Sequence, residues 1–205
     1  MKPPTATVFV VDDDDAVRSS LRLLLKSVGL PVALHASAQD FLASYDPAQP
    51  GCLVLDIRMP GMSGLELQQH LSLRGAIIPV VFITGHGDVQ MAVEAMQYGA
   101  FDFLQKPFRD QDLIDRVQRA FEKDAATRRE LSEISRIQAR INSLTARERE
   151  VLALVTSGKA NKVVAAELKV SPRTVEIHRA RVMEKMEAHS LAQLVRMVME
   201  AERHR

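Results

Sequence analysis

The sequence is poor in cysteine, in aromatic residues and in long apolar runs. Its 205 residues include one cysteine, Cys52, no tryptophan and 4% aromatic residues. One cysteine excludes an intrachain disulfide and a thiolate metal cage, and few aromatic rings argue against a protein that stacks single-stranded bases. Without a run of about eighteen apolar residues, we predict no membrane-spanning helix. The first residues lack the apolar segment of a signal peptide, so we expect a cytoplasmic protein.

The net charge of +1 hides an uneven distribution of charge. From Thr145 to Arg205 the sequence has 12 Lys and Arg residues against 8 Asp and Glu residues. The remainder has 15 basic and 18 acidic residues. An acidic first part and a basic last part indicate different partners for the two parts. The length allows one large domain or two small ones, and the hydrophobic fraction of 46% is ample for buried cores.

Apolar segments alternate with amphipathic segments in the first part of the chain. The segments between the apolar runs have apolar residues at helical spacing, which predicts helices. Short, continuous apolar runs are typical of strands that are buried on both faces of a parallel sheet. We therefore predict an α/β fold with a doubly wound, parallel, five-stranded sheet. The predicted strands are residues 7–11, 31–35, 52–55, 79–83 and 101–105.

Polar residues follow four of these strands at their carboxyl ends. Asp12 and Asp13 follow the first strand, Asp56 the third, Thr84 the fourth and Lys106 the fifth. In a flavodoxin-like strand order the first and third strands are neighbours, and ligands bind at the switch point between them. The acids of these two strands should therefore lie close together. Taken alone, Asp56 could equally be a capping or turn residue.

This set of side chains predicts phosphoryl transfer. Three carboxylates at one place repel each other and would bind protons without a compensating cation. Mg²⁺ takes oxygen ligands and keeps waters that a phosphate oxygen can replace. Lys106 adds a positive charge suited to phosphate, and Thr84 adds a hydroxyl. We interpret the set as a site in which the Asp56 carboxylate is the nucleophile.

Taken together, these motifs resemble the receiver domain of two-component response regulators. The resemblance covers about residues 5–121 and implies a CheY-like fold. It also implies a sensor histidine kinase that transfers a phosphoryl group to Asp56. The motifs that carry it are the double acid after the first strand, Asp56 with Met59-Pro60-Gly61, Thr84, and Lys106-Pro107-Phe108.

The resemblance further implies a metal site and a switch. Mg²⁺ (or Mn²⁺) would be bound by Asp13, Asp56 and the backbone carbonyl of Arg58, with Asp12 in close support. Phe103 has the position of the family's rotating aromatic residue, which is often a tyrosine. Phenylalanine lacks the hydroxyl, so any hydrogen bond that tyrosine would make in the active state is missing.

Residues near the fourth and fifth strands complete the implied site. Thr84 and Lys106 would contact the phosphoryl oxygens. The Lys106–Pro107 bond is often cis in this family, which would aim the lysine inward. His86 either tunes the loop after the fourth strand or is simply exposed.

The middle of the chain predicts a long helix. No proline or glycine occurs from Asp110 to Ser157, and apolar residues recur every three or four positions from Leu131 to Leu144. This pattern indicates an amphipathic linker helix, either docked or paired in a short coiled coil. We predict a receiver domain at residues 1–121, a linker helix at 122–143 and a DNA-binding domain at 144–205.

The last part of the chain predicts a small all-α domain. Thr145 and Glu148 have the spacing of a capping box at a helix start, and Gly158 is typical of its end. Residues 161–168 predict a second short helix, and Ser171-Pro172 predicts the start of a third, basic helix. A short helix, a tight turn and a capped basic helix form a helix-turn-helix DNA-binding motif.

Residues 144–199 resemble the DNA-binding domain of the NarL/FixJ (LuxR-type) regulators, and their FixJ-like branch in particular. Ser171–Arg179 and Asn161-Lys162 carry this resemblance. Because Glu176 cannot help to bind phosphate, it either accepts a hydrogen bond from a cytosine amino group or orients an arginine. The residues implied to contact the groove or the phosphates are Lys162, Arg173, Thr174, Glu176, Ile177, His178, Arg179, Arg181 and Lys185.

We therefore expect a dimeric, bacterial transcription regulator that is controlled by phosphorylation and is not an enzyme beyond its own phosphorylation and dephosphorylation. Its expected partners are a histidine kinase, double-stranded DNA, a second copy of the chain and RNA polymerase. A face around residues 88–117 would dimerise or release the basic domain. The last helix can also pair two modules in this family. Its candidate residues, some of which core packing explains equally well, are Leu191, Leu194 and Val198.

Three alternatives stay open at the level of sequence. The first is a phosphorelay or adaptor protein that acts through protein contacts alone, with a basic helix that is only a solvated face. The second is a DNA-binding protein whose receiver no longer accepts phosphate, although the complete set of acids, Thr84 and Lys106 argues against it. The third is a hydrolase of small phosphates, which the lack of an additional general acid and of a substrate pocket disfavours.

Overall fold

The chain divides into two compact units, residues 1–128 and 129–205. The computed structural model describes residues 5–85 and 89–203. None of the helices in these described ranges combines the length and the apolar character needed to cross a membrane.

The first unit contains a parallel sheet of five strands in the order β2-β1-β3-β4-β5. This order confirms the predicted doubly wound sheet and makes β1 and β3 neighbours. Two predicted strands begin one residue earlier than the observed ones, at Pro31 and Pro79. Proline has no N–H group to donate to the hydrogen bonds between strands. The strands are β1 (Thr7–Val11), β2 (Val32–His35), β3 (Gly51–Asp56), β4 (Val80–Thr84) and β5 (Asp102–Gln105).

The sheet is buried on both faces, which explains its continuous apolar strands. Phe9 and Leu55 belong to a core on one face, together with the helix residue Phe41. Val10 and Val54 belong to a core on the other face, together with the helix residues Leu21 and Leu113. The sheet therefore holds the ends of β1 and β3 rigidly side by side.

Helices flank the sheet, and three of them begin at residues that cap their first turn. Asp14, Ser37 and Ser63 each accept a hydrogen bond from a backbone N–H in the first turn, as N-caps do. The helices are α1 (Asp15–Ser27), α2 (Ala38–Ser44), α3 (Gly64–Leu73) and α4 (Val89–Gln97).

A single long helix, α5, extends from the first unit into the second. It covers Asp110–Ser143 and confirms the predicted long linker helix. The stripe of apolar residues is not uniformly buried. Leu131 is exposed, whereas Ile137 belongs to the core of the second unit.

The second unit is all-α beyond α5 and contains the predicted short helices. Its helices are α6 (Ala146–Thr156), α7 (Asn161–Leu168), α8 (Pro172–Lys185) and α9 (Leu191–Arg203). The Thr145–Glu148 capping box is present, and Ser171 caps α8, with Pro172 at its first position. Lys169 ends α7 in the left-handed conformation with φ 54°, which forms the tight turn before α8.

One side of α8 is buried in the second unit. Val175, Val182 and Met186 are fully or almost fully buried. In α9, Leu194 is buried in the same core as Val182. Packing within this unit therefore accounts for an apolar residue at this position, and pairing with a second module is not needed to explain it. Met197, which the sequence pattern did not single out, is buried beside Leu194.

Candidate functional site

The carboxyl edge of the sheet brings together two acids and one lysine. The register of β1 and β3 pairs Val11 with Leu55, so the next residues, Asp12 and Asp56, lie side by side. The Lys106 Nζ atom lies 2.9 Å from Asp56 Oδ1 and 3.1 Å from Asp12 Oδ2. The lysine therefore bridges the two carboxylates.

The electrostatics of this cluster follow from burial and from these contacts. Burial raises the pKa of Asp12, against the opposing effects of the Asp14 N–H and of Lys106. Burial alone would lower the pKa of Lys106, but its hydrogen bonds and charge interactions with Asp56 and Asp12 raise it overall. Lys106 is thus held as a cation between two acids, as a phosphoryl site requires.

Backbone contacts fix the position of Asp56. Its Oδ2 atom accepts a hydrogen bond of 2.8 Å from the Arg58 N–H. The Gly64 N–H at the start of α3 donates to the Ile57 carbonyl at 2.9 Å. A Cβ atom at Gly64 would lie 2.2 Å from the Asp56 carbonyl oxygen, so only glycine permits this approach. The sequence analysis did not predict this contact.

Thr84 and Phe103 lie on the neighbouring strands of the same sheet. The Thr84 side chain is buried at the end of β4, and its backbone carbonyl accepts a 2.7 Å hydrogen bond from the Lys106 N–H. Phe103 on β5 is 38% exposed. The Lys106–Pro107 bond is cis, as the resemblance implied. His86, to which the sequence gave either a tuning role or none, lies outside the described residues.

The face of α8 opposite its buried residues is open to solvent. It consists of five exposed residues that recur at helical spacing, which are Arg173, Glu176, Ile177, Ala180 and Arg181. We call these five residues the exposed stripe. Ala180 was not among the predicted contacts, and its small side chain permits a close approach to α8. Of the other predicted DNA contacts, Lys162 is exposed at the start of α7.

The remaining predicted DNA contacts are half-buried, and three of them have partners within the second unit. Arg179 Nη1 donates to Asn161 Oδ1 at 3.0 Å, and Lys185 Nζ lies 2.6 Å from Glu148 Oε2. Thr174 interacts with the hydroxyl of the N-cap of α8 at 2.8 Å. The Nδ1 atom of His178 is buried and has no hydrogen-bond partner in the described part of the chain. These contacts hold α8 against α6 and α7.

Glu148 is an acidic residue that is only 2% exposed. The Lys185 hydrogen bond, followed by the Thr145 N–H, lowers the pKa of Glu148 to about 2. The side chain thus joins the start of α6 to the end of α8 as a carboxylate. The capping box predicted from sequence accounts for the contact of Glu148 with Thr145. The contact with Lys185, 37 residues away in sequence, was not predicted.

Comparison with known families agrees with both parts of this geometry. Residues 8–118 match the response regulator receiver domain, and residues 142–198 match the bacterial regulatory proteins of the LuxR family. The FixJ transcriptional regulatory protein of Azorhizobium caulinodans is 51% identical over 96% of this chain and 93% of its own length. The chain belongs to the FixJ-like response regulators.

Another relative and two solved structures match nearly the whole chain. FixJ of Rhizobium meliloti is 49% identical over 94% of this chain and 95% of its own length. The structure of the response regulator StyR has a TM-score of 0.86 and 46% identity, and the match covers 96% of this chain and 99% of that one. Full-length FixJ from B. japonicum has a TM-score of 0.59 and 42% identity, with 98% of both chains covered.

Membership in this family establishes the general role. This FixJ-like chain is a DNA-binding response regulator of a two-component system and acts in the regulation of transcription. Its relatives are transcriptional regulators, which points to a role other than that of an enzyme. A receiver and a DNA-binding domain together imply a sensor kinase and DNA as partners.

Receiver domains generally use Mg²⁺ at the phosphorylation site, and the donor chemistry of this FixJ-like chain fits that ion. Asp12 and Asp56 provide hard oxygen ligands, and the exposed Asp13 follows Asp12 at the same strand end. However, no three acidic, histidine or cysteine side chains in the described ranges are arranged to hold one metal ion. The Lys106 ammonium compensates part of the negative charge of Asp12 and Asp56, which it contacts.

Proposed function

We propose that this regulator accepts a phosphoryl group on Asp56 and that the modification increases its affinity for specific DNA sites. The observation that carries the proposal is the bridge from Lys106 to both Asp12 and Asp56 at the carboxyl edge of the sheet. A pair of acids held together by one lysine gives a nucleophile beside a fixed positive charge, which suits phosphoryl transfer.

The proposed reaction is an in-line displacement at phosphorus. An Asp56 carboxylate oxygen attacks the phosphorus of a phosphohistidine on the sensor kinase. The P–O bond forms as the P–N bond breaks, and the histidine ring keeps the electron pair and takes a proton from solvent. Asp13, Asp56 and the Arg58 carbonyl, with Asp12 in support, would hold Mg²⁺, which would supply positive charge at this site.

Two further side chains would hold the product. Lys106 already contacts Asp56 Oδ1 and would turn its ammonium towards a phosphoryl oxygen. Thr84 lies on the adjacent strand, since β3 and β4 pair Asp56 with Ile83. Its hydroxyl would donate to a second phosphoryl oxygen and draw the end of β4 towards the site. Phe103 would then move inward from its exposed position.

The surface near β5 supports a dimer as the output of this switch. Val93, Met96 and Tyr98 on or beside α4, and Phe103 on β5, are large apolar side chains that are substantially exposed. They lie within the face around residues 88–117 that the sequence predicted, although Asp88 lies outside the described residues. A movement of Phe103 would change this surface and favour pairing with a second copy.

The second unit would then bind DNA as a pair of modules on two half-sites. The exposed stripe of α8 would enter the major groove, and Lys162 would contact a phosphate. Arg179 and Lys185 would act by positioning α8, because both are bonded within the unit. RNA polymerase would be recruited at the promoter, as expected of a transcription regulator.

The direct test is intact-mass spectrometry of the full chain after treatment with a small acyl phosphate and Mg²⁺. The wild type should gain the mass of one phosphoryl group, and Asp56→Asn should gain none. Asp46→Asn is the matched control, because Asp46 is exposed and only closes a local turn with Ala48. Equal uptake by the wild type and Asp56→Asn would show that Asp56 is not the acceptor.

A further inference from the structure

The exposed stripe contains one acidic residue, Glu176, in a basic surface. Arg173 and Arg181 lie on the same exposed side of α8, and Val175 and Val182 on the buried side. A carboxylate at this place is repelled by DNA phosphates. Its presence on the helix face that would enter the groove therefore requires a partner of a particular kind.

Within the second unit, most acids of the helices are paired. Glu148 pairs with Lys185, Glu150 with Arg147, Glu167 with Lys159, and Glu187 with Arg140. In contrast, no side chain in residues 5–85 and 89–203 forms a hydrogen bond or an ion pair with the Glu176 carboxylate.

The sequence left two roles for Glu176, and the contacts of the arginines separate them. Arg179, three residues after Glu176 along the chain, is oriented by Asn161 instead. No ion pair joins Glu176 to Arg173 or Arg181 in the described part of the protein. The role of orienting an arginine therefore has no contact to support it.

The major groove offers a carboxylate one well-suited partner. Cytosine presents its N4 amino group there as a donor, and the accepting side chains found opposite it are Glu and Asp. Adenine also has an amino group, but its N7 acceptor lies beside that group and repels a carboxylate. Ala180, one turn after Glu176, leaves room for the base edge.

We propose that Glu176 is a specificity-determining residue that accepts a hydrogen bond from the N4 amino group of a cytosine in each half-site. This inference rests on the proposed DNA binding by α8. In this proposal Glu176 determines which base is preferred, and the arginines around it attract the phosphates of the DNA backbone.

The test begins with selection of DNA sites from random duplexes by the full chain, treated with an acyl phosphate and Mg²⁺. The wild type should enrich a site with a fixed cytosine in each half. Glu176→Gln should lose that preference by about tenfold and favour adenine there, since glutamine pairs with adenine N6 and N7. Glu184→Gln is the control, because Glu184 is an exposed acid on the same helix.

A second arm uses the wild type and a chemically altered site. N4-methylcytosine at the selected position replaces the donor that faces the groove, so affinity should fall by about tenfold. The assignment of Glu176 would be overturned if Glu176→Gln still selected sites with the same preference for cytosine. Unchanged affinity of the wild type for the methylated site would also overturn it. Failure of the wild type to enrich any sequence would instead contradict the proposed DNA regulator itself.

Discussion

At the scale of single residues, Gly64 shows how closely the backbone packs around Asp56. An added Cβ atom would lie 2.2 Å from the Asp56 carbonyl oxygen, and that oxygen belongs to the backbone and cannot rotate away. We predict that Gly64→Ala destabilises the protein by about 1–3 kcal/mol, as overpacking does, and slows phosphoryl uptake on Asp56. Urea unfolding and the rate of uptake measure the two effects.

Gly85→Ala is the steric control for this prediction. Gly85 is also near the carboxyl edge, but an added Cβ atom there would meet nothing within 4 Å. Its unfolding free energy should therefore stay close to that of the wild type. Equal stability of Gly64→Ala and the wild type would contradict the close packing at Asp56.

The Glu148–Lys185 pair predicts a dependence of stability on pH. The pKa of Glu148 falls from an ordinary 4.5 to about 2, chiefly because Lys185 donates a hydrogen bond to it. A lowered folded-state pKa stabilises the protein fully above about pH 4.5, and this contribution is lost as the pH falls towards 2. We predict that Glu148→Gln costs about 1–3 kcal/mol at neutral pH, as loss of a charged hydrogen bond does.

The difference in unfolding free energy between the wild type and Glu148→Gln should narrow as the pH is lowered from 5 towards 3. Glu150→Gln is the control, since Glu150 is exposed and pairs only with Arg147 on its own helix. A difference that is the same at every pH in this range would show that Glu148 does not act as a carboxylate.

Arg181 and Lys185 lie one turn apart on α8, but their substitution by alanine should affect different properties of the protein. Arg181 is exposed, whereas Lys185 is bonded to the buried Glu148. We predict that Arg181→Ala weakens DNA binding and reduces the slope of log affinity against log salt by about 1, the effect of one lost phosphate contact. Lys185→Ala should instead lower the unfolding free energy.

Binding titrations at several salt concentrations and urea unfolding separate these outcomes. An unchanged salt slope for Arg181→Ala would show that this side of α8 does not contact phosphates. If Lys185→Ala had the same unfolding free energy as the wild type, this would contradict the role of Lys185 in positioning α8.

The acids and the lysine at the carboxyl edge of the sheet could be predicted from sequence because each follows a buried strand. The parallel sheet then brings Asp12, Asp56 and Lys106 together without further information. Contacts such as Arg179 with Asn161 could not be predicted, because they depend on how separate helices pack. The same is true of Lys185, whose charge suggested DNA and whose partner is a buried acid.

At the scale of elements, the feature that stands out is the attachment of α5 to the first unit. Asp124 is 1% exposed and accepts a 3.0 Å hydrogen bond from the Gly51 N–H at the start of β3. Arg128, one turn later, donates to both Asp124 oxygens at 3.0 and 2.9 Å. Its other nitrogens donate to the carbonyls of residues 47–49. We call these contacts the clasp; its two α5 residues, Asp124 and Arg128, lie beyond residues 8–118, which match the receiver family.

We predict that Arg128→Ala opens the clasp, because it leaves the buried Asp124 carboxylate without its ion pair. Breaking a buried pair costs about 3–5 kcal/mol, so the α5 segment around Asp124 should open locally. Hydrogen exchange should accelerate at residues 47–51 and 122–130. Arg129→Ala, which removes an exposed neighbour, is the control. Unchanged exchange at both segments would contradict the clasp.

Helices and strands were predictable where capping residues and periodicity agree. The start of α6 after Thr145 and the start of α8 at Pro172 follow directly from such signals. The extent of burial along α5 was not predictable, because the same apolar periodicity gives an exposed Leu131 and a buried Ile137. Which turn of a long helix is covered depends on packing partners that are distant in sequence.

At the scale of the whole molecule, the account requires that a modification in the first unit changes binding by the second. A shift from a mostly inactive to a mostly active population needs about 5.5 kcal/mol of differential stabilisation. Contacts of the phosphoryl group with Lys106 and Thr84 would supply part of this free energy. Pairing of two copies would supply the rest, and two modules on two half-sites bind more tightly than one.

The most direct test is fluorescence anisotropy of the full chain on its selected duplex, with and without an acyl phosphate and Mg²⁺. The account predicts that treatment tightens binding by the wild type and by Asp46→Asn, and leaves Asp56→Asn unchanged. An equal gain in affinity for Asp56→Asn, or no gain for a wild type shown by mass to be phosphorylated, would contradict it.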